Sequence, residues 1–189
     1  MQKKLIVPIF IILALLLGAS FWAILANRNV EKTDTKAMRT DLLKAWARSE
    51  TQTLTTAQQM PAEFYQFQAA DSTMTFAEQW RHCAIYTCGQ LAANLELTDN
   101  PYAVKDERPR VDLSKEEAIV ELKRMYAYVR KVIETVPDEK LLTKVDFAKD
   151  QIYGWQLLYA VENHIIHHRG QCVVYLRLKG IKPVGYYGW

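Results

Sequence analysis

What this chain has little of narrows it first. Three cysteines in 189 residues, Cys83, Cys88 and Cys172, allow at most one internal disulfide, so no disulfide framework organises the fold. On one helix Cys83 and Cys88 would point about 140° apart and could not pair there. All three are expected to be small, buried, apolar residues. Seven glycines and six prolines are spread along the chain, leaving no low-complexity segment and no internal repeat. No strand-like alternation competes with helical periodicity. Charge of one sign is missing too: 24 Lys and Arg against 21 Asp and Glu leave a net +3, with the basic residues scattered among acids. Without a basic stripe, nucleic acid is excluded as an expected partner.

One long hydrophobic run is present. Lys3 and Lys4 precede an uncharged stretch from Leu5 to Ala26, which as a helix would be about 33 Å long and would cross a bilayer core. Gly18 and Ser20 in "LGAS" also suit a signal-peptide cleavage site. Residues 1–27 are therefore read as a signal anchor or a signal peptide, the anchor preferred because Phe21, Trp22 and Leu25 prolong the apolar character. In either case the paired lysines stay inside and the rest is exported, so the main domain is expected outside the cytoplasm.

After a polar stem over 28–36, residues 37–189 read as four helices. The first, with Leu42, Leu43 and Trp46 at helical spacing, is stopped by Pro61. Thr75 with Glu78, and Ser114 with Glu117, are capping boxes that open the second and third helices; the second runs to about Leu95 and the third stops before Pro137. A fourth runs from about Ile152 to Lys179, with Gly180 as its C-cap. The connections "ELTDNPYAVKDERPRVDL" and "VPDEKLLTKVDFAKDQ" read as loops. The expected fold is all-α, a four-helix bundle with crossover connections.

The histidines gather on the last helix. Three of the four lie in "HIIHHRGQCVVYLRLKG", with His164 and His168 about 40° apart and His167 about 60° behind His164. An i, i+4 pair can aim two ring nitrogens at one cation. The remaining histidine, His82, sits on the second helix, where a bundle core could bring it to the pair. Cys172, one turn past His168, is the obvious residue that could close such a site. Glu78 and Gln171 could orient His82 and His164, with the capping role preferred for Glu78. Gly170 inside a helix suggests a close helix contact, and Arg169 with Arg177 a solvated or ion-paired face. The closing "PVGYYGW" reads as packing in an apolar groove, with a lid as the alternative.

"MPAEFYQFQAADSTMTFAEQWRH" followed by "HIIHHRGQCVVYLRLKGIKP" resembles the DinB family, the DinB/YfiT-like metalloenzymes. The resemblance covers the chain from about Thr35 onward. It implies a four-helix bundle with an unusual order of helix directions and a divalent metal held by His82, His164 and His168, zinc or nickel leading. It also implies a likeness to transferases and isomerases that use bacillithiol, mycothiol or glutathione, beside members with no activity assigned. A metal-dependent thiol transferase or hydrolase is expected, with a non-catalytic metal- or ligand-binding bundle as the alternative. Expected partners are a small molecule, the membrane through the N-terminal helix, and in the open case a second copy of the chain. The apolar N-terminus departs from the cytoplasmic members, and small-thiol pools are chiefly intracellular.

The charge asymmetry around the apolar run makes an expectation of topology. A C-terminal tag on the full chain should sediment with membranes and be digested by protease added to spheroplasts. A protected tag reverses the orientation, and a shortened soluble chain identifies a cleaved signal peptide.

Overall fold

The computed structural model describes residues 35–102 and 112–186. The expected membrane span, residues 5–26, and most of the polar stem lie outside them. Among the described residues no helix is long and apolar enough to cross a membrane. The chain divides into two units, Met1–Asp41 and Leu42–Trp189.

The second unit holds four long helices: α1, a helix over residues 35–59 of which residues 42–59 belong to this unit, α2 over Phe76–Asn94, α3 over Lys115–Thr135 and α5 over Gly154–Leu178, with a short α4 over Asp138–Leu142. Both capping boxes form, Thr75 accepting from the Glu78 N–H and Ser114 from the Glu117 N–H. Glu78 spends its carboxylate on the Thr75 N–H at 2.6 Å. Pro61 and Pro137 end α1 and α3, since a residue before proline is pushed to extended backbone, as Val136 is. Gly180, at φ +74°, closes α5: its N–H donates to the Arg177 carbonyl at 3.0 Å and that of Ile181 to Leu176 at 2.9 Å. A left-handed residue costs glycine no steric strain there.

α2 is the central element and packs on both α3 and α5. It buries Phe76, Trp80, Cys83, Ala84, Cys88 and Leu91 completely. The segment crossing from α1 to α2 is pinned through Tyr65, whose ring meets Phe76 edge-on at 5.0 Å and whose hydroxyl donates to the Ala57 carbonyl at 2.7 Å. Backbone carbonyls of Phe67 and Tyr65 take the N–H groups of Phe76 and Ala77, both at 2.9 Å, which satisfies donors that a helix N-terminus otherwise leaves open. α1 joins α3 and α5 by a buried polar cluster. Tyr126 donates to Thr53 at 2.8 Å and contacts Ser49 at 3.2 Å, while Arg169 donates to Thr53 at 3.1 Å. Arg169 is thus a buried hydrogen-bonding residue, which corrects the solvated face expected for it.

The unit is mostly helical, as expected, and a stretch read as loop forms a short β-hairpin. Strands β1, Lys144–Phe147, and β2, Asp150–Tyr153, pair antiparallel with Val145 opposite Ile152. The helix expected from Ile152 therefore begins at Gly154. The hairpin hid in the sequence because its strands are four residues each and its two-residue turn is Ala148-Lys149, with Ala148 at φ +57°, in place of the usual Asn-Gly or Asp-Gly.

Gly154 starts α5 where α4 passes: a Cβ added there would lie 2.2 Å from the Lys140 carbonyl oxygen and 3.1 Å from Leu141 Cα. Around Gly170, in contrast, an added Cβ meets nothing within 4 Å, which corrects the close contact expected at that position. The two glycines should respond oppositely to the same substitution. In urea unfolding Gly170→Ala should stabilise by about 1 kcal/mol, and Gly154→Ala should destabilise by about 2 kcal/mol through backbone overlap.

Candidate metal centre

Two stripes meet where α2 faces α5. Gln79, His82 and Tyr86 stand at i, i+3 and i+7 on α2, and His164, His168 and Gln171 at i, i+4 and i+7 on α5, so each set shares one helix face. Capping fixes the rotation of α2, and its fully buried Trp80 and Cys83 hold it there. His82 and His164 are half-buried and His168 is 6% exposed.

The three imidazoles converge through the same atom. His82 Nε2 lies 3.1 Å from His164 Nε2, and His164 Nε2 lies 3.1 Å from His168 Nε2. A ligand atom from each of the three lies within 4.8 Å of the others. Bonds of about 2.0–2.1 Å to a tetrahedral ion place neighbouring nitrogens about 3.3 Å apart, so the two 3.1 Å separations are close to those around a shared cation. Hydrogen bonding among the rings does not account for them. His164 Nε2 is touched by two nitrogens and carries one proton or one lone pair, so it cannot serve both rings. One cation would accept all three lone pairs.

Each ring is held differently. His168 Nδ1 contacts Gln79 Oε1, and with the proton on Nδ1 the lone pair sits on Nε2, facing the other rings. Gln79, 1% exposed, donates through Nε2 to Gln171 Oε1 at 2.9 Å, and Gln171 Nε2 reaches His167 Nε2 at 2.9 Å. His164 has the Tyr86 ring stacked on it, centroids 3.9 Å apart and planes 23° from parallel. Its Nδ1 is buried without a hydrogen-bond partner among the described residues. The rings of His82 and Tyr86 stand 5.8 Å apart.

Electrostatics keep this cluster neutral. Burial lowers the pKa of His82. Burial first, and then the neighbouring imidazoles, hold His164 at about 4 and His168 at about 3. Neutral imidazole is the form that ligates a metal.

The trio expected from spacing is thus the trio that the fold brings together, and His167 stands outside it, exposed, on Gln171. Glu78 caps α2, the role preferred for it, while Gln171 bridges Gln79 and His167 instead of orienting His164. Cys172 is fully buried, and burial pushes its thiol well above the usual range, the reverse of what a thiolate ligand needs. All three cysteines are free and buried, as expected. Tyr186 is 86% exposed and so does not fill a groove. Tyr187 and Trp189 lie outside the described residues. Sequence reasoning missed Gln79 and Tyr86, although each lies one helical turn from His82 on the same face.

A helical bundle with a three-imidazole centre between its second and last long helices is the class that the fold and site define. The chain belongs to the DinB family, whose family model matches residues 31–189. Over 136 residues it is 26% identical to the uncharacterized protein YjoA of Bacillus subtilis strain 168, a match covering 69% of this chain and 84% of that protein. The crystal structure of that DinB-like protein is similar with a TM-score of 0.63 at 20% identity, covering 78% of this chain and 97% of the other. A DinB-like protein from Bacillus cereus ATCC 10987 gives a TM-score of 0.65 at 20% identity, covering 77% of this chain and 95% of the other.

The lowered imidazole pKa values set a direction for stability without metal. Between about 6.5 and about 4 the unfolded chain binds protons at His164 and His168 that the folded chain does not. Their contribution is complete above pH 6.5 and is lost as pH falls toward 4 and 3. Urea midpoints of the metal-free chain should therefore fall more steeply from pH 7 to pH 5 than those of His168→Gln. Equal slopes would show that His168 does not stay neutral on folding.

Proposed function

We propose that this DinB protein is a metal-dependent enzyme acting outside the cytoplasm, with His82, His164 and His168 holding a divalent cation, zinc or nickel. The observation that carries the reading is the convergence of three Nε2 atoms at 3.1 Å contacts, one of them on a ring whose Nδ1 is turned to Gln79. When bound, such a cation acidifies a coordinated water or thiol enough to supply a nucleophile near neutral pH. Three imidazoles without a fourth ligand among the described residues correspond to the open coordination of catalytic sites.

The chain's own residues have two tasks in this reading. The histidines fix the cation while remaining neutral, and the stacked ring of Tyr86 holds the plane of His164. The substrate class is an electrophilic small molecule, attacked by a thiol in a transferase or by water in a hydrolase. The apolar N-terminal run behind Lys3 and Lys4 supports action outside the cytoplasm.

Elemental analysis of protein purified without added metal should give about one divalent ion per chain. His82→Ala, His164→Ala and His168→Ala should each weaken binding by more than about 100-fold, and His167→Ala by far less. Metal-loaded protein, offered thiols with electrophilic acceptors beside esters and amides, should show turnover that disappears in His168→Ala. Thiol dependence identifies a transferase and thiol-independent cleavage a hydrolase. Full metal content in all three ligand variants would overturn the site. Absence of turnover, with thermal stabilisation by metal and a small ligand, would leave a binding protein.

A further inference from the structure

The hydrogen-bonded series His168 Nδ1, Gln79, Gln171, His167 Nε2 runs from a buried ring to an exposed one. Every link in it is made by a group that can both give and receive. Two directions therefore satisfy the whole series. In one, His168 donates to Gln79, Gln79 to Gln171 and Gln171 to His167. In the other His167 donates, both amides are turned over, and Gln79 donates to His168 Nδ1. A primary amide carries its acceptor and donor on opposite arms of one plane, so neither glutamine can turn alone without setting two oxygens or two N–H groups against each other. The directions differ at the centre. The first leaves the lone pair of His168 on Nε2, facing His164; the second puts a proton there, and that ring cannot ligate.

We propose that Gln79 and Gln171 are positioning residues that hold His168 in the Nδ1–H tautomer, and that they tie the metal affinity of the centre to the direction of hydrogen bonding at the exposed His167. The affinity half rests on the metal reading above; the tautomer half rests on the relay alone. Gln79 is the stronger of the two because it is buried and touches His168 itself, so its loss removes the acceptor outright. Without Gln171, Gln79 can still accept from His168, but nothing then opposes its turning over.

The test uses the full chain in mild detergent, metal-free, with ¹⁵N-labelled histidine; four imidazoles are present, and long-range ¹H–¹⁵N spectra report the tautomer of each. In the wild type His168 should be Nδ1–H. Gln79→Leu should move His168 toward Nε2–H and lower the affinity for cobalt(II) or zinc about 10–100-fold, with unchanged helix content by circular dichroism. Gln171→Leu should lower it only a few-fold. Gln79→Glu separates orientation from packing. A carboxylate still accepts from His168, so tautomer and affinity should be kept or improved, but it cannot donate, so Gln171 should turn over and His167 should become Nε2–H. A wild-type His168 in the Nε2–H form overturns the relay whatever the metal does. So does a Gln79→Glu protein that behaves like Gln79→Leu, or a Gln79→Leu protein with unchanged tautomer and affinity. A wild type with His168 as Nδ1–H that binds no metal upholds the relay and defeats the metal reading alone.

Discussion

Imidazoles pressed between two packed helices lose much of their water, and a ring without water resists taking a proton. The contact of α2 with α5 imposes this on His82, His164 and His168 together, and a proton on any one ring would make the next harder to charge. Three lone-pair donors are thereby kept in 3.1 Å contacts that hydrogen bonding alone cannot satisfy. The rest of the unit can be understood as the frame that makes this contact and keeps its register. Sliding α5 by one residue would turn His164 and His168 by about 100° away from α2.

Register is held at both ends of the two helices. The Thr75 capping box and the Phe67 and Tyr65 carbonyls fix where α2 begins. At the other end Gly154 lets α5 start directly against the α4 backbone, and the Gly180 turn ends it after Leu178. Along its length α5 is tied to α1 by Arg169, which faces roughly away from His164 and donates into the Ser49–Thr53–Tyr126 cluster. Burying a guanidinium is costly unless its donors are met. Its bonds therefore select one rotation of α5, the rotation that turns the histidines to α2.

Much of this was legible in the sequence because the signals are local. Two capping boxes, two stopping prolines and a C-cap glycine set four helices to within a residue or two. The trio followed from i, i+4 spacing and from there being one other histidine to join it. What escaped depends on what lies across a contact. Gln79 reads as any polar residue on a helix until His168 is known to face it, and Gln171 sits close to His164 on the wheel yet spends both ends of its amide on Gln79 and His167. Arg169 looked solvated because nothing in its neighbours predicts Ser49 and Thr53 from α1. Gly170 misled for the same reason: a missing side chain signals close approach only when another element is there to approach. The hairpin was lost differently, through short strands and a turn without its usual residues.

Likeness in fold settles less about the chemistry than the residues do. Structures 20% identical to this chain share its helices with TM-scores of 0.63 and 0.65, and a shared bundle fixes only where a site can be built. The three imidazoles of this cluster are unequally supported. His168 is the buried ring, fixed by an amide series that sets its tautomer. His164 has no acceptor for Nδ1 among the described residues and depends on the stacked face of Tyr86. His82, His164 and Tyr86 are half-buried, whereas His168 is buried. The ring with a hydrogen-bonded Nδ1 therefore lies deepest, and the one held by stacking lies nearer the surface.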